Sequence, residues 1–455
     1  MPDPGGAVAA LSRRGALDPV PGGGGAHPGP VRLSPGAEGP AAFAAVDRVF
    51  DAHLSHTSAA PIAVAYSGGG DSLALLLAAQ AWSAARGRRL IVLHVDHGLQ
   101  ATSGAWAAHC REVARRLDLS FEILTWTGPK PATGRPAAAR AARHSLLADA
   151  ARAAGAAVVL MGHTADDVLE ARQMRRDGAT TPDPRPWGPS PAWPEGRGVF
   201  LLRPLLAMRR AELRQALAQQ TLTWIEDPAN SDPAYARARA RAVLGCGVEE
   251  AIAPQAPDED LTALARRARH GVGGTIGWRR EDLDGASAAA LAQALSIASL
   301  CVAGGARPPR RASAERLADA VRSGRPFTAT LAGARLVAGP REVIMARESG
   351  EAARGGLVET PLLAGEPLVW DGRFEVLAEA PGFRVAPLAG RMTQLAPEAR
   401  RAVTALPAAA RKALPVLIAA DETVTLETPE VEVRSLTQAR FEAATGQVGR
   451  EPDAA

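Results

Sequence analysis

The residues with the clearest chemical signature are Ser67, Gly68, Gly69, Gly70, Asp71 and Ser72. They follow the apolar run Ala63-Val64-Ala65-Tyr66 and precede an Ala/Leu-rich stretch, so a strand enters a glycine loop and a helix leaves it. Glycines let the backbone turn tightly and bring N–H groups against an anion, and a helix N-terminus adds positive potential there. Ser67 and Ser72 can donate further hydrogen bonds to phosphate. Asp71 repels phosphate unless a Mg²⁺ lies between them, which makes it a candidate metal ligand. The loop is not a Walker A sequence, because GxxxxGK[ST] is absent and no lysine is near. A glycine turn without a ligand would explain the glycines alone, but not the order strand, SGG…DS, helix.

Other clusters stand further along the chain. Leu93-His94-Val95-Asp96-His97-Gly98-Leu99 closes a second apolar run. Strand alternation puts His94 and Asp96 on one face, at the carboxyl edge where open α/β sheets bind ligands. Taken alone, a histidine at a strand end is more often a hydrogen-bonded structural residue. In Gly162-His163-Thr164-Ala165-Asp166-Asp167-Val168-Leu169-Glu170, helical spacing places His163, Asp167 and Glu170 on a common face. Acids in a first helical turn also complement the macrodipole, which accounts for one carboxylate but poorly for the whole cluster. Such carboxylates could hold a cationic amine, and one could accept its proton. An alkylammonium has a pKa of about 10.4 and must lose that proton before it attacks anything. Arg140 and Arg143 lie i,i+3 on a helical stretch, where a solvated face serves equally well as an explanation. Arg237, Arg239 and Arg241 crowd beside Tyr235, a candidate grip on RNA phosphates and bases or else a charged helix end.

Taken in order, these motifs resemble the PP-loop ATP pyrophosphatases and, among them, the tRNA(Ile)-lysidine synthases. SGGGDS is similar to the SGGxDS loop, and HVDHGL to HVNHGL with Asp96 in place of Asn. GHTADDVLE is similar to GHxxDDxxE, whose acids are associated with the amino-acid substrate. The run Arg203-Pro204-Leu205-Leu206, then Trp224-Ile225-Glu226-Asp227-Pro228-Ala229-Asn230, then Tyr235 with Arg237, Arg239 and Arg241 resembles the end of the catalytic domain. Ala238 replaces an asparagine there. Arg140 and Arg143 carry over, while Pro136 and His144 replace an acid and a tyrosine. After Glu170 the sequence ARQMRRDG is polar where the family continues with an apolar helix and a glycine-rich turn. The resemblance covers about 62–244, and more loosely the tail through FTATLAGARL and VWDGRFEV.

The resemblance implies ATP and Mg²⁺ as cofactors. The loop would grip the departing pyrophosphate through Ser67, Gly68, Gly69, Gly70, Asp71 and Ser72 and leave the α-phosphorus open to attack, giving AMP. Asp71 would hold the metal. Asp71, Arg143, His163, Asp167 and Glu170 would carry catalysis, with Asp167 and Glu170 also binding L-lysine. Arg140, Arg237, Arg239 and Arg241 would bind a tRNA(Ile) with a CAU anticodon, whose wobble cytidine would become lysidine. A PP-loop tRNA thiolase generally needs paired cysteines that this chain lacks, and a non-catalytic tRNA-binding relative would not need the SGGGDS and GH..DD..E motifs intact.

Positioning these residues requires an α/β scaffold. The runs PIAVAYS, RLIVLHVDH, SFEILTW and AAVVLMGH alternate with Ala/Leu/Arg-rich helical stretches, so a parallel sheet covered by helices on both faces is expected over 42–248. Residues 1–40, rich in Gly, Pro and Ala, read as a disordered leader. Residues 249–325 read as a helical connector, with helices near 286–303 and 313–321. Residues 326–455 read as a small α+β module containing two hairpins, 327–346 and 368–376, the second with an Asp371-Gly372 turn. Residues 177–198 form a Pro/Gly-rich loop, long enough to be functional or mobile.

At 455 residues the chain exceeds one ordinary core, and 47% hydrophobic residues suffice for several. The formal charge of +4 is modest for a nucleic-acid binder, yet the basic residues are nearly all arginine, with only Lys130 and Lys412 as lysines. Arginine suits bidentate phosphate contacts. Cys110, Cys246 and Cys301 form no disulfide framework and no CxxC site, which fits a reducing cytoplasm. No apolar run reaches the roughly 18 residues of a membrane span, and the N-terminus lacks signal-peptide order.

Overall fold

The computed structural model describes residues 41–99, 102–128, 130–179, 184–218, 222–228, 232–245, 258–350 and 357–452. The leader expected over 1–40, Ala229, Asn230, Cys246 and the boundary expected at 248 lie outside them.

The first unit is built on the strand runs legible in the sequence. These are β1 (Ile62–Ala65), β2 (Leu90–Asp96), β3 (Ser120–Thr125) and β4 (Val158–Met161), joined by β5 (Trp187–Pro189) and β6 (Phe200–Leu202). Their order across the sheet is β3-β2-β1-β4-β6-β5, parallel except for β5 at one edge. Alternation divides each central strand between two cores. Ile62, Val64 and Tyr66 face one core with α1 (Ala41–His53), α2 (Gly70–Ala85), α3 (Ser103–Arg116) and α6 (Arg210–Leu217). Ala63 faces the other, against Leu147 and Ala151 of α4 (Arg135–Ala153). Burial on both faces is why these strands read as continuous apolar runs rather than alternating ones. The helices α5 (Ala165–Arg176) and α7 (Ala236–Leu244) complete the unit.

The strand order reverses between β1 and β4. The loops that follow these two neighbours therefore diverge to opposite sides and leave a crevice at their carboxyl ends, the place where open α/β sheets bind ligands. SGGGDS follows β1 and GHTADD follows β4.

The second unit corrects the expected connector. It contains α8 (Glu259–Arg266), α9 (Ala288–Ala303) and α10 (Arg311–Arg322), but also β7 (Arg269–Gly271) and β8 (Thr275–Arg279). These pair with β9 (Phe327–Leu331), β10 (Ala334–Ala338) and β11 (Glu342–Arg347) in one antiparallel sheet, ordered β7-β8-β11-β10-β9. The boundary expected at 325 falls inside this unit. The strands β7 and β8 are short and their glycine-rich turn hides alternation, so only pairing to the distant β11 reveals them.

The third unit carries two further sheets. One is β12 (Thr360–Pro361), β15 (Arg384–Pro387), β16 (Pro415–Ile418) and β17 (Val424–Thr425). The other is β13 (Leu368–Trp370), β14 (Phe374–Ala378) and β18 (Val431–Ser435). Two short helices, α11 (Pro397–Ala405) and α12 (Ala408–Arg411), pack here, and α13 (Thr437–Ala444) returns to the second unit by burying Phe441 in its core. The expected hairpin at 368–376 is present. Asp371 and Gly372 at its turn have φ of 51° and 64°, the left-handed pair that a tight hairpin turn requires.

That turn also joins the second and third units. Asp371 accepts hydrogen bonds from Arg347 Nε at 3.1 Å and Arg373 Nε at 2.6 Å, all three side chains being at most 3% exposed. Arg373 donates onward to the Ala413 carbonyl at 2.7 Å. Among the described residues no helix is long and apolar enough to cross a membrane. Asp371→Ala strands two buried guanidinium groups and is expected to destabilise the protein by about 3–5 kcal/mol. A fall in the denaturant midpoint checks this, and an unchanged midpoint would contradict it.

Candidate functional site

The glycine loop is shaped from beneath and above. Gly68 has φ of +89°, and a Cβ there would meet Ile225 Cδ1 at 2.6 Å, so no other residue fits without displacement. Its carbonyl accepts the Ile225 N–H at 2.9 Å, which presses the Trp224-Ile225-Glu226-Asp227 segment over the loop. Gly69 caps α2 with extended backbone, so the first amides of α2 open toward the crevice. Ser72 Oγ donates to the Gly69 carbonyl at 2.8 Å and lies 3.1 Å from Ser67 Oγ. The neighbouring loop comes very near. A Cβ on Gly162 would sit 3.1 Å from Ser72 Cα and 3.2 Å from the Asp71 carbonyl oxygen, so Gly162 permits SGGGDS and GHTADD to meet. His94 donates from Nδ1 to the Tyr66 carbonyl at 2.9 Å and ties β2 to the entrance of the loop. Asp96 accepts the Gly98 N–H at 2.8 Å and fixes its own turn.

At the head of α5, Asp167 reaches back to accept the Thr164 N–H at 2.8 Å and its hydroxyl at 3.0 Å, an N-terminal cap. Burial works to raise its carboxyl, but the Arg237 charge, the Thr164 amide and Arg210 outweigh it and hold the group below its ordinary value. His163 Nδ1 accepts from Arg203 Nε at 3.2 Å. Arginine can only donate, so the neutral imidazole carries its proton on Nε2. Burial, with Arg203 and Arg143 nearby, keeps His163 well below the usual histidine range and therefore neutral. This gives the arginine of the RPLL motif its role.

Glu170 is 1% exposed and lies among three guanidinium groups: Arg241 Nε at 2.8 Å, Arg210 Nη1 at 3.2 Å and Arg237 Nε at 3.5 Å. Arg210 also donates from Nε to Asp71 Oδ2 at 2.8 Å and stands 3.7 Å from Asp167. It thus links the acid of the glycine loop to both acids of α5. Its own N–H is fixed on Asp166 Oδ2 at 2.7 Å. Burial pushes the Asp71 carboxyl up, and the Arg210 bond offsets only part of that.

The arginines expected to act together divide. Arg237 and Arg241, four apart on α7, face α5, whereas Arg239 turns away to its own Pro233 and Ala234 carbonyls at 2.7 and 3.0 Å. Arg140 and Arg143 have no ion pair among the described residues. Burial, with repulsion from Arg140 and Arg237, depresses Arg143 to about 10. His144 lies buried beneath it without a hydrogen bond and is pushed to about 3 by burial, Arg143, Arg140 and Arg203.

A cleft of about 920 Å³ joins these parts. Ser67, Gly69, Gly70, Asp71 and Ser72 form its floor, and His94, His97, Arg143, His163, Asp167, Arg210, Arg237 and Arg241 line it further out. Leu99, Trp106 and Ile225 provide an apolar wall. Gly68, Arg140, Glu170 and Arg239 do not line it. The cleft therefore sets the N-terminus of α2 beside the Asp71 and Asp167 carboxylates and three histidines, with arginines further out.

Residues 44–246 match the PP-loop domain family. A tRNA(Ile)-lysidine synthase of Caulobacter vibrioides is 45% identical over 418 residues, spanning 89% of this chain and 98% of that relative. The chain belongs to the tRNA(Ile)-lysidine synthase family. The family's enzyme from Hyphomonas neptunium is 37% identical over 305 residues, 64% of this chain and 82% of that one. Among solved structures, the U34-tRNA thiolase of Methanococcus maripaludis is 15% identical, with a TM-score of 0.37 over 45% of this chain and 73% of its own.

Arg210 and Arg214 are the residues that motif reading passed over. Both stand on α6, in Arg209-Arg210-Ala211-Glu212 and just beyond, and their one signal is a pair of arginines soon after RPLL. Glu170→Gln leaves Arg210, Arg237 and Arg241 without their shared anion. Because those guanidinium groups are partly solvated, the expected loss is about 1–3 kcal/mol rather than the full cost of a buried pair. Chemical denaturation measures it. Unchanged stability with a raised KM for lysine would instead place Glu170 on the amino acid.

Proposed function

We propose that this chain ligates L-lysine to the wobble cytidine of a tRNA(Ile) with a CAU anticodon, using ATP and releasing AMP and pyrophosphate. The observation that carries this reading is the meeting of SGGGDS and GHTADD at the reversal of strand order, within one cleft that offers phosphate donors on one side and the Asp167 carboxylate on the other. The α2 terminus suits the phosphates, and the wall of Leu99, Trp106 and Ile225 suits a nucleobase. The cytidine carbonyl oxygen attacks the α-phosphorus and pyrophosphate leaves. The lysine ε-amine then attacks the activated carbon, and AMP departs with the oxygen.

Asp71 fits a Mg²⁺ brought with ATP. Its Oδ1 makes no hydrogen bond among the described residues, and Mg²⁺ is commonly held by one or two carboxylates together with substrate phosphates. Bound there, the ion would neutralise phosphate charge. Asp167, held anionic at neutral pH, suits the lysine ammonium. His163, neutral with its proton on Nε2 and lining the cleft, suits an oxygen that gains negative charge, and Arg143 suits an RNA phosphate or base. The tail offers Arg401 and Lys412, exposed and without an ion pair among the described residues, as contacts for the tRNA body. A cytoplasmic location accords with such a substrate.

Incubation with ATP, Mg²⁺, labelled lysine and tRNA transcripts tests the reading. Label should enter only the CAU transcript, and incorporation that ignores the anticodon would overturn that specificity. Asp71→Ala should abolish AMP formation in a folded protein, whereas near-normal pyrophosphate release would remove Asp71 from the chemistry. Asp167→Asn should spare adenylate formation and slow its decay on adding lysine by roughly ten- to a hundred-fold, the loss of one charge-assisted hydrogen bond. Single-turnover kinetics separates the two steps. A stall before any adenylate appears would move Asp167 to the nucleotide side.

A further inference from the structure

The strands of the first unit have a second, quieter edge. Arg88 precedes β2, and Ser55 and Ala60 precede β1, so all three lie at the amino ends of the parallel strands, opposite the cleft. Residues 447–451, which follow α13, cross this edge. His53 Nδ1 donates to the Gly449 carbonyl at 2.7 Å, Trp187 Nε1 to the Val448 carbonyl at 2.8 Å, and the Glu451 N–H to the His53 carbonyl at 2.7 Å. The strap ends on Glu451. Its carboxylate takes both guanidinium nitrogens of Arg88, at 2.8 and 2.9 Å, and the Ser55 N–H at 2.9 Å. The Glu451 side chain is 0% exposed and that of Arg88 2%. Arg88 also donates from its two terminal nitrogens to the Ser55 and Ala60 carbonyls at 2.9 and 2.5 Å, and its buried Nε is left without a partner.

An ion pair this dry is a poor way to add stability, because desolvation offsets most of its attraction. It is a good way to select one register. The strap's bonds to His53 and Trp187 use its backbone carbonyls and amide, which every neighbouring register would also present. Two strap side chains select a register: Arg450, through an exposed bond to the Asp51 carbonyl at 2.7 Å, and Glu451, through its buried pair with Arg88. The strap is also where the units converge. Just before it, α13 buries Phe441 in the second unit, Arg440 lies 3.9 Å over the Trp193 ring of the first, and the Leu436 N–H donates to Arg373 of the third.

We propose that the Arg88–Glu451 clasp is a positioning device for tRNA: it fixes the second and third units at one separation from the cleft, so that RNA held on them presents its anticodon to the reacting centre. This rests on the reading that the chain modifies tRNA and that its C-terminal units hold the tRNA body. Without the clasp the units must be ordered at each encounter, and that cost falls on RNA binding rather than on chemistry.

The test is steady-state kinetics of the full chain carrying Glu451→Gln, with full-length tRNA transcript, ATP and lysine varied in turn. The KM for tRNA should rise about ten- to a hundred-fold, while kcat and the KM values for ATP and lysine stay within about two-fold. Glu451→Asp keeps the charge but shortens the reach, and it serves if the glutamine variant fails to fold. Its tRNA KM should rise in the same selective way. A folded variant with an unchanged tRNA KM, or with all three KM values raised together, overturns the proposal and leaves the enzymatic reading standing. An unmutated chain that makes no lysidine takes down that reading, and this inference with it.

Discussion

The site depends on how three carboxylates can share one strand edge. Asp71, Asp167 and Glu170 converge on a single guanidinium, Arg210, at 2.8, 3.7 and 3.2 Å. Two unit charges about 4 Å apart in a partly buried setting interact by about 4 kcal/mol, so the attraction of Arg210 for the acids offsets the repulsion of gathering them at one edge. Arg237 and Arg241 finish the compensation around Glu170. The glycine loop and the α5 cap can then approach to the contact that Gly162 allows. The two loops come to line one cleft because a cation that belongs to neither motif holds them together.

Charge is distributed unevenly across that cleft. The floor is balanced, acid against arginine. Arg143, which lines the cleft, and Arg140, one helical step away, have no ion pair among the described residues, and burial first, then neighbouring arginine charge, depresses both guanidinium groups. His144, buried beneath Arg143, is forced to stay uncharged and adds nothing to their charge.

The Pro/Gly-rich segment near 184–198 has a structural part to play. Its strand β5 closes the edge of the parallel sheet. Beyond it, Trp193 donates to the Gly372 carbonyl at 2.9 Å, and Arg197 pairs with Glu375. The polar ARQMRRDG stretch before it forms the exposed end of α5 and its exit. Departures from the family's apolar pattern thus fall where the chain leaves the catalytic edge and turns toward its C-terminal units.

The sequence by itself determined the first four strands, the glycine loop and the start of α5 after GHTADD. Each of these is local: a continuous apolar run, glycines where backbone must turn or pack closely, and acids gathered in a first helical turn. It also carried the family through motifs whose order survives in the chain. Tertiary structure decided the remainder, because that part depends on residues far apart in sequence. Strands β7 and β8 are too short to declare themselves and exist through pairing with β11. The sequence groups Arg237, Arg239 and Arg241 together, and only the packing of α7 on α5 turns the first and last inward and leaves Arg239 outside. Glu170 reads from its motif as a free carboxylate, and three arginines from two other helices enclose it. Arg210 and Glu451 sit in no motif at all. A guanidinium bridging 139 residues to Asp71 and a carboxylate reaching back 363 to Arg88 leave no periodic trace, since their partners are set by where the chain has folded.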